Sequence, residues 1–304
     1  METMKNTAGP RRRAASVLLF PGLPLILLLL LAPAPSLARG SLWQVRTGEH
    51  VLYLLGSLHV MKKESYPLPV VMDEIYAASS ALVFETDMDE MDTPAMQNKI
   101  VAYGRLPAGQ TLEQQLTLPT WQLVRIKMAD LKIPAAQLQT MRPWLCALTL
   151  TVTELERQGF LPEYGLDEHF YARAKQDKKK IIALESVDYQ LSLFYSQSRR
   201  EQENFLQQTL NDLQLAGELS SDMENAWKTG DGEKLQGLMA KSFAGYPEQY
   251  DRLVLKRNKN WLPLLEKIMK REAVTLVVVG AGHLVGPDSV VDLLRRKGYP
   301  VTQR

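Results

Sequence analysis

The sequence predicts an α/β fold, a mixed central β-sheet flanked by helices with a large helical insertion, on three observations. Short apolar runs at 51–55, 81–84, 180–184 and 274–279 read as buried strands, because they are largely β-branched or bulky and too short for helices. Between them lie longer stretches with apolar residues at helical spacing, punctuated by Pro and Gly. About 266 of the 304 residues follow an N-terminal leader, enough for one large core in a single domain over 39–304.

The elements are expected in the following order. A hairpin opens the chain, with strands at 42–45 and 50–55 around a Thr47-Gly48-Glu49 turn; His50 begins the second strand and is expected to be exposed. Helices are expected at 68–79, 119–131, 142–158 and 166–177, with His169 on the surface of the last. After the strand at 180–184 come helices at 188–195, 199–215, 221–228, 232–241 and 247–270, the last interrupted at Pro263. The strand 274–279, a helix at 287–297 and a short strand at 299–302 close the chain. Segments 201–215 and 250–265 are more helix than a sheet rim requires; they either cover the rim or pack against the sheet.

Two of the four histidines share one local frame. Gly56-Ser57-Leu58-His59 follows the run 51–55, and Gly280-Ala281-Gly282-His283 follows 274–279. A Gly at a strand end permits a sharp turn, so each imidazole is expected just beyond a strand's carboxyl end, where open α/β sheets bind ligands. Two further runs deliver carboxylates, Glu85 and Glu185. If the four strands are parallel in one sheet, His59, Glu85, Glu185 and His283 gather on one rim. Such a nitrogen and oxygen donor set suits a divalent transition metal, with Mn²⁺ or Co²⁺ ahead of Zn²⁺ or Fe²⁺.

The motifs GSLHV (56–60), FETD (84–87), Tyr164-Gly165-Leu166-Asp167 followed by Leu184-Glu185-Ser186, Arg257-Asn258 and GAGHLVG (280–286) together resemble the TraB/PrgY/GumN family, to which the Tiki metalloproteases are similar. The resemblance runs in order from about residue 42 to 301. It implies a Tiki-like fold shared with erythromycin-esterase-like and ChaN-like proteins, with a sheet of two similar halves. It also implies a metal-dependent hydrolase site carried by His59, Glu85 and His283. Glu185, Asp167, Arg257 and Asn258 match further recurrent positions, and Gly56 and Gly280 belong to the paired motifs. An Arg near such a rim could bind a substrate carboxylate or stabilise an oxyanion.

The N-terminus carries the pattern of a secretory signal peptide over 1–38: Lys5 and Arg11-Arg12-Arg13, an apolar region at 17–31, and Ser36-Leu37-Ala38 before Arg39. Cleavage there is expected, and with it a periplasmic or secreted location. The alternative is an uncleaved membrane anchor, against which Pro21, Pro24, Pro33 and Pro35 count. Losing residues 1–38 removes four basic and one acidic side chains and moves the formal charge from +2 to −1, so composition gives nucleic-acid binding no support. Runs such as Lys178–Lys180 and Arg295–Lys297 are expected to be solvated helix ends.

Other chemistries find little footing. Cys146 is the only cysteine, so no internal disulfide forms, and its helical frame makes it a small core residue rather than a nucleophile. Ser57 lies beside His59 without a nucleophile elbow, and no H-E-x-x-H occurs. Gly280, Gly282 and Gly286 follow a strand as a dinucleotide turn would, but a His fills the turn and only 18 residues follow. Two functions follow. The first is an exported metal-dependent hydrolase, acting on a peptide or other small-molecule substrate, with Glu85 and Glu185 dividing the roles of ligand and general base in either order. The second is a non-enzymatic periplasmic protein that sequesters a peptide, haem or metal on the same rim.

Overall fold

A computed structural model describes residues 41–304, Asp92 excepted; the expected leader lies outside the described residues. Six strands form one mixed sheet in the order β4-β3-β5-β2-β1-β6. They are β1 (Leu42–Thr47), β2 (His50–Ser57), β3 (Ala81–Phe84), β4 (Lys180–Ala183), β5 (Val274–Gly280) and β6 (Val301–Gln303). The four strands read from apolar runs are parallel to one another, β2 and β3 flanking β5 and β4 outside β3. The hairpin partner β1 runs antiparallel to β2 and carries β6 on its far edge. Gly48, at φ 58, turns the hairpin in a backbone conformation that side chains resist.

The central strands read as unbroken apolar runs because helices cover both faces of the sheet. All four residues of β3 are buried, as are five of the seven in β5. Their core partners include Phe170, Trp227, Trp261 and Leu265. The chain between β3 and β4, and again after β4, builds a helical region with its own apolar cluster, including Leu112, Val124, Leu138, Cys146, Leu150 and Leu206. The Arg199–Gln214 helix contributes to that second cluster through Leu206, Leu210 and Leu213. It is thus neither a cover nor a sheet-packing helix. The Lys256–Met269 helix packs on the sheet through Trp261, Leu262 and Leu265.

Several local expectations change. Pro263 does not interrupt its helix, because it lies on the exposed face, where the carbonyl it leaves without a donor can be hydrated. The irregularity lies upstream, where Asp251–Leu255 winds as a π-helix turn before Arg257. A helix at Pro94–Gly104 was not expected; Thr93 caps it from its side chain and Pro94 occupies its first position. The helix expected at 221–228 runs over Ala216–Thr229 and stops at Gly230, φ 67. Lys180 begins β4, as the run at 180–184 predicts, but Lys179, expected at a solvated helix end, turns its Nζ onto the carbonyls of Tyr76, Ala77 and Ser79. Among the described residues no helix is long and apolar enough to cross a membrane.

Candidate active site

The carboxyl ends of β2, β3, β4 and β5 meet at one rim, and each delivers one of the four residues singled out there. His59 stands two residues beyond β2, Glu85 directly after β3, Glu185 two after β4, and His283 in the single helical turn after β5. Parallel pairing continues past the strands: the Leu184 N–H donates to the Phe84 carbonyl at 2.9 Å and the Glu185 N–H to the Glu85 carbonyl at 2.8 Å. The two carboxylates are therefore neighbours.

Neither motif glycine turns the chain by a left-handed backbone. Gly56 lies inside β2, where a Cβ would come within 3.1 Å of Ala281 and Ser41. Gly280 ends β5, and a Cβ there would meet Glu85 Oε1 at 3.3 Å, His283 Cδ2 at 3.5 Å and His59 Nε2 at 3.7 Å. Both positions make room. The Gly56 carbonyl also accepts the buried Trp227 indole N–H at 2.6 Å.

Each imidazole is held by its Nδ1. His59 Nδ1 lies 3.1 Å from Asp167 Oδ2, and the other oxygen of Asp167 accepts the Ser57 hydroxyl. The neighbouring Asp167 charge pushes His59 up to about 9. Burial works to raise Asp167, but the His59 charge and the bonds from His59 and Ser57 hold it below the usual carboxylate range. The His59 ring keeps one side open to solvent, with 65% of its side chain exposed.

His283 is 6% exposed and packs on Trp261, ring centroids 4.4 Å apart. Asn258 Nδ2 donates to the Asp288 carbonyl at 2.9 Å, which turns Asn258 Oδ1 toward His283 Nδ1 at 2.7 Å. The proton of a neutral His283 thus sits on Nδ1 and the lone pair on Nε2, an assignment that follows from the hydrogen-bond network. Burial pushes this imidazole down to about 3, so it is neutral.

Arg257, 7% exposed, occupies the centre. Its Nε donates to Glu185 at 3.0 Å, and its Nη2 to Glu185 at 2.8 Å and to Glu85 Oε2 at 2.5 Å. Its Nη1 donates to the Leu253 carbonyl at 3.2 Å and to His283 Nε2 at 3.1 Å. All five N–H donors of the guanidinium are engaged, so a substrate carboxylate could bind Arg257 only by displacing one of these partners. Glu85 also accepts the Gly280 N–H at 2.8 Å and the Gln190 amide at 3.0 Å. Burial works to raise Glu85, but Arg257 and the His59 charge, with the Gly280 N–H, hold it well below the usual carboxylate range.

A cavity of ≈ 270 Å³ opens over His59 and Glu85, its wall made apolar by Phe84, Met88 and Met91. Of the residues singled out in the sequence, His59 with Asp167 forms one group. Glu85, Glu185, Arg257, Asn258 and His283 form the other. Gln190 and Trp261 were missed; Gln190 sits one turn into the helix after Glu185, and nothing in its local sequence marks it. Ser57, considered above only as a nucleophile, instead supports Asp167.

The metal expected from the resemblance does not fit this arrangement. Donor chemistry is favourable, since both Nδ1 atoms are tied in the manner of metal-bound histidines. The His283 Nε2 lone pair, however, already accepts Arg257 Nη1, and an imidazole-bound metal about 2.1 Å along that lone pair would stand roughly 1 Å from the nitrogen. Among the described residues no group of three or more His, Cys, Asp or Glu side chains is placed to hold a metal ion.

The profile of the TraB/PrgY/gumN family matches residues 41–303. Similar proteins include the uncharacterized protein YbaP of Escherichia coli and its Shigella flexneri counterpart, each 26% identical over 248 residues, 82% of this chain and 89% of theirs. An uncharacterized protein of Treponema pallidum is 23% identical over 301 residues, covering 90% of this chain and 89% of its own. No solved structure matches. The match along nearly the whole described chain places this protein in the TraB/PrgY/gumN family.

Proposed function

We propose that this chain is an exported hydrolase of acyl bonds, a peptidase by its resemblance to the Tiki proteins, with His59 as its proton-transfer group. The supporting observation is the Asp167–His59 pair: Asp167 fixes the ring from Nδ1, and Nε2 faces the cavity lined by Glu85, Met88 and Met91. In its neutral form, the minor form near pH 7 because Asp167 pushes the ring up to about 9, His59 Nε2 takes a proton from a water as the water oxygen bonds to the substrate carbonyl carbon, so turnover rises with pH toward that value. The C–N or C–O bond then breaks, and the same proton passes from Nε2 to the leaving group. Asp167 stabilises the imidazolium in between, as the acidic member of a catalytic triad does. The Glu85–Arg257–Glu185 network forms the rigid back wall. Adaptable Met88 and Met91 suit a small apolar side chain of the substrate.

The leader supports export, and sequencing the N-terminus of periplasmic or secreted protein should begin near Arg39. Activity is tested with a peptide and ester library, in which ¹⁸O from water should enter the acyl product. His59→Ala and Asp167→Asn should each lower turnover by about 10²–10⁴-fold while remaining folded. Stoichiometric retention of a library member without product would replace the hydrolase with the sequestering protein. Turnover abolished by a chelator would return the metal-dependent reaction.

A further inference from the structure

The Arg257 guanidinium sits among two carboxylates and an imidazole lone pair, Glu85, Glu185 and His283. A single cation buried among such donors is the pattern that a divalent metal would satisfy. We infer that this rim carries its cation covalently: Arg257 occupies the place of a divalent metal, so the native protein holds no metal there, and removing the guanidinium uncovers a metal site.

The inference rests on the donor count and on direction. Arg257 gives one N–H to the Nε2 lone pair of His283, which Asn258 has already turned inward, and three to the carboxylates. The fifth goes to the Leu253 carbonyl, in the π-helix turn at Asp251–Leu255 that directly precedes the Lys256–Met269 helix. That carbonyl bond and the guanidinium's position over the Trp261 ring, 4.8 Å from its centroid, fix the side chain from behind. The guanidinium is therefore held by groups outside the donor set as well as by the donors. With Arg257 gone, two buried carboxylates and one neutral imidazole, which around the guanidinium do not themselves close on an ion, lose the cation they share and can draw together on a divalent one, whose charge balances the two carboxylates.

The test reads metal content, not turnover, so it separates from the hydrolase proposal. Purified protein is dialysed against Mn²⁺, Co²⁺ or Zn²⁺ and analysed for metal per chain. Wild type should hold less than about a tenth of an equivalent, and Arg257→Met close to one, with the gain lost again in Arg257→Met/His283→Ala. Should Arg257→Met fail to fold, Arg257→Met/Glu185→Gln removes one carboxylate with the cation and keeps Glu85 and His283 for the metal. One equivalent in wild type that His283→Ala abolishes would overturn the inference, whereas the hydrolase proposal is decided separately by turnover of the library. Folded variants that stay metal-free would overturn it too, because the donors would then not form a metal set.

Discussion

Gly165 is where the backbone carrying His59 touches the helix carrying Asp167, and its replacement by Ala isolates that contact. Gly165 has φ −60 and ψ 142, ordinary for any residue, so Ala costs nothing in backbone strain. Its lower entropy in the unfolded chain would by itself stabilise the protein by about 0.4–1 kcal/mol. The added Cβ, however, would stand 2.9 Å from the His59 carbonyl carbon, nearer still to its oxygen, and 3.0 Å from the Pro162 oxygen. These are main-chain atoms, and the Leu166 N–H bonded to the Leu58 carbonyl at 3.2 Å holds the same two segments together.

Relief of the overlap must therefore move the His59 loop or the start of the Leu166–Gln176 helix, at an overpacking cost of about 1–3 kcal/mol. The steric effect outweighs the entropic one, and the net loss is about 1–2 kcal/mol, or roughly 2–8 °C in Tm for a domain of this size. Denaturant and thermal unfolding measure it. Gly217→Ala is the control: nothing lies within 4 Å of its Cβ, and in the Ala216–Thr229 helix it should gain about 0.5 kcal/mol. Because the clash separates His59 from Asp167, any turnover should fall with stability in Gly165→Ala. A Gly165→Ala protein as stable as wild type would show that the loop yields freely and that the His59–Asp167 geometry is not enforced by this contact.

Three other outcomes follow from the same structure. Glu154, 2% exposed, is bound by Lys127 and Arg157 at 2.8 Å and by Gln158 at 2.6 Å. Burial works to raise this carboxyl, but those bonds hold it below its ordinary value. Its contribution is therefore complete above the unfolded-state value and disappears as pH falls through the lower folded one, so wild type should lose more stability in acid than Glu154→Ala does. At neutral pH Glu154→Ala should cost about 2 kcal/mol by urea unfolding, less than a fully buried pair because Arg157 is half in solvent. Cys146 is fully buried, and burial pushes its thiol up to about 12, so a thiol reagent at pH 8 should label it only after denaturant is added. The imidazole of His59 should titrate above its ordinary 6.5 by NMR and return toward it in Asp167→Asn, and an unshifted wild-type value would dissolve the pair.

The sheet and its rim were legible because burial on both faces forces continuous apolar strands, and such runs mark their own carboxyl ends. His59, Glu85, Glu185 and His283 followed from that alone. Partnerships across the sequence were not legible. Asp167 is 108 residues from His59, and Arg257 is 172 from Glu85; each is a charged residue on a helix, indistinguishable locally from a solvated one. The helical region was read as helices but not as a separate core, because periodicity reports that a face is apolar and not what covers it. Pro263 misled for a similar reason: whether the carbonyl that a proline orphans can be hydrated depends on exposure, which is a tertiary property.

The repeated G-x-x-H spacing brings two histidines together only because β2 and β5 pair side by side in parallel, with Ser57 opposite Gly280 and Gly56 opposite Val279. That register offsets the two glycines by a single residue. His59 and His283, each three residues past its glycine, therefore leave the sheet at nearly the same level. Antiparallel pairing of the same two sequences would place the histidines at opposite ends of the sheet. The two glycines admit what the shared exit requires: Gly56 admits Ala281, which begins the turn carrying His283, and Gly280 admits the Glu85 carboxylate between the rings. Alanine at either position leaves every motif histidine in place in the sequence. At Gly280 it crowds the Glu85 carboxylate at 3.3 Å, and at Gly56 it presses at 3.1 Å on Ala281, the first residue of the turn that carries His283.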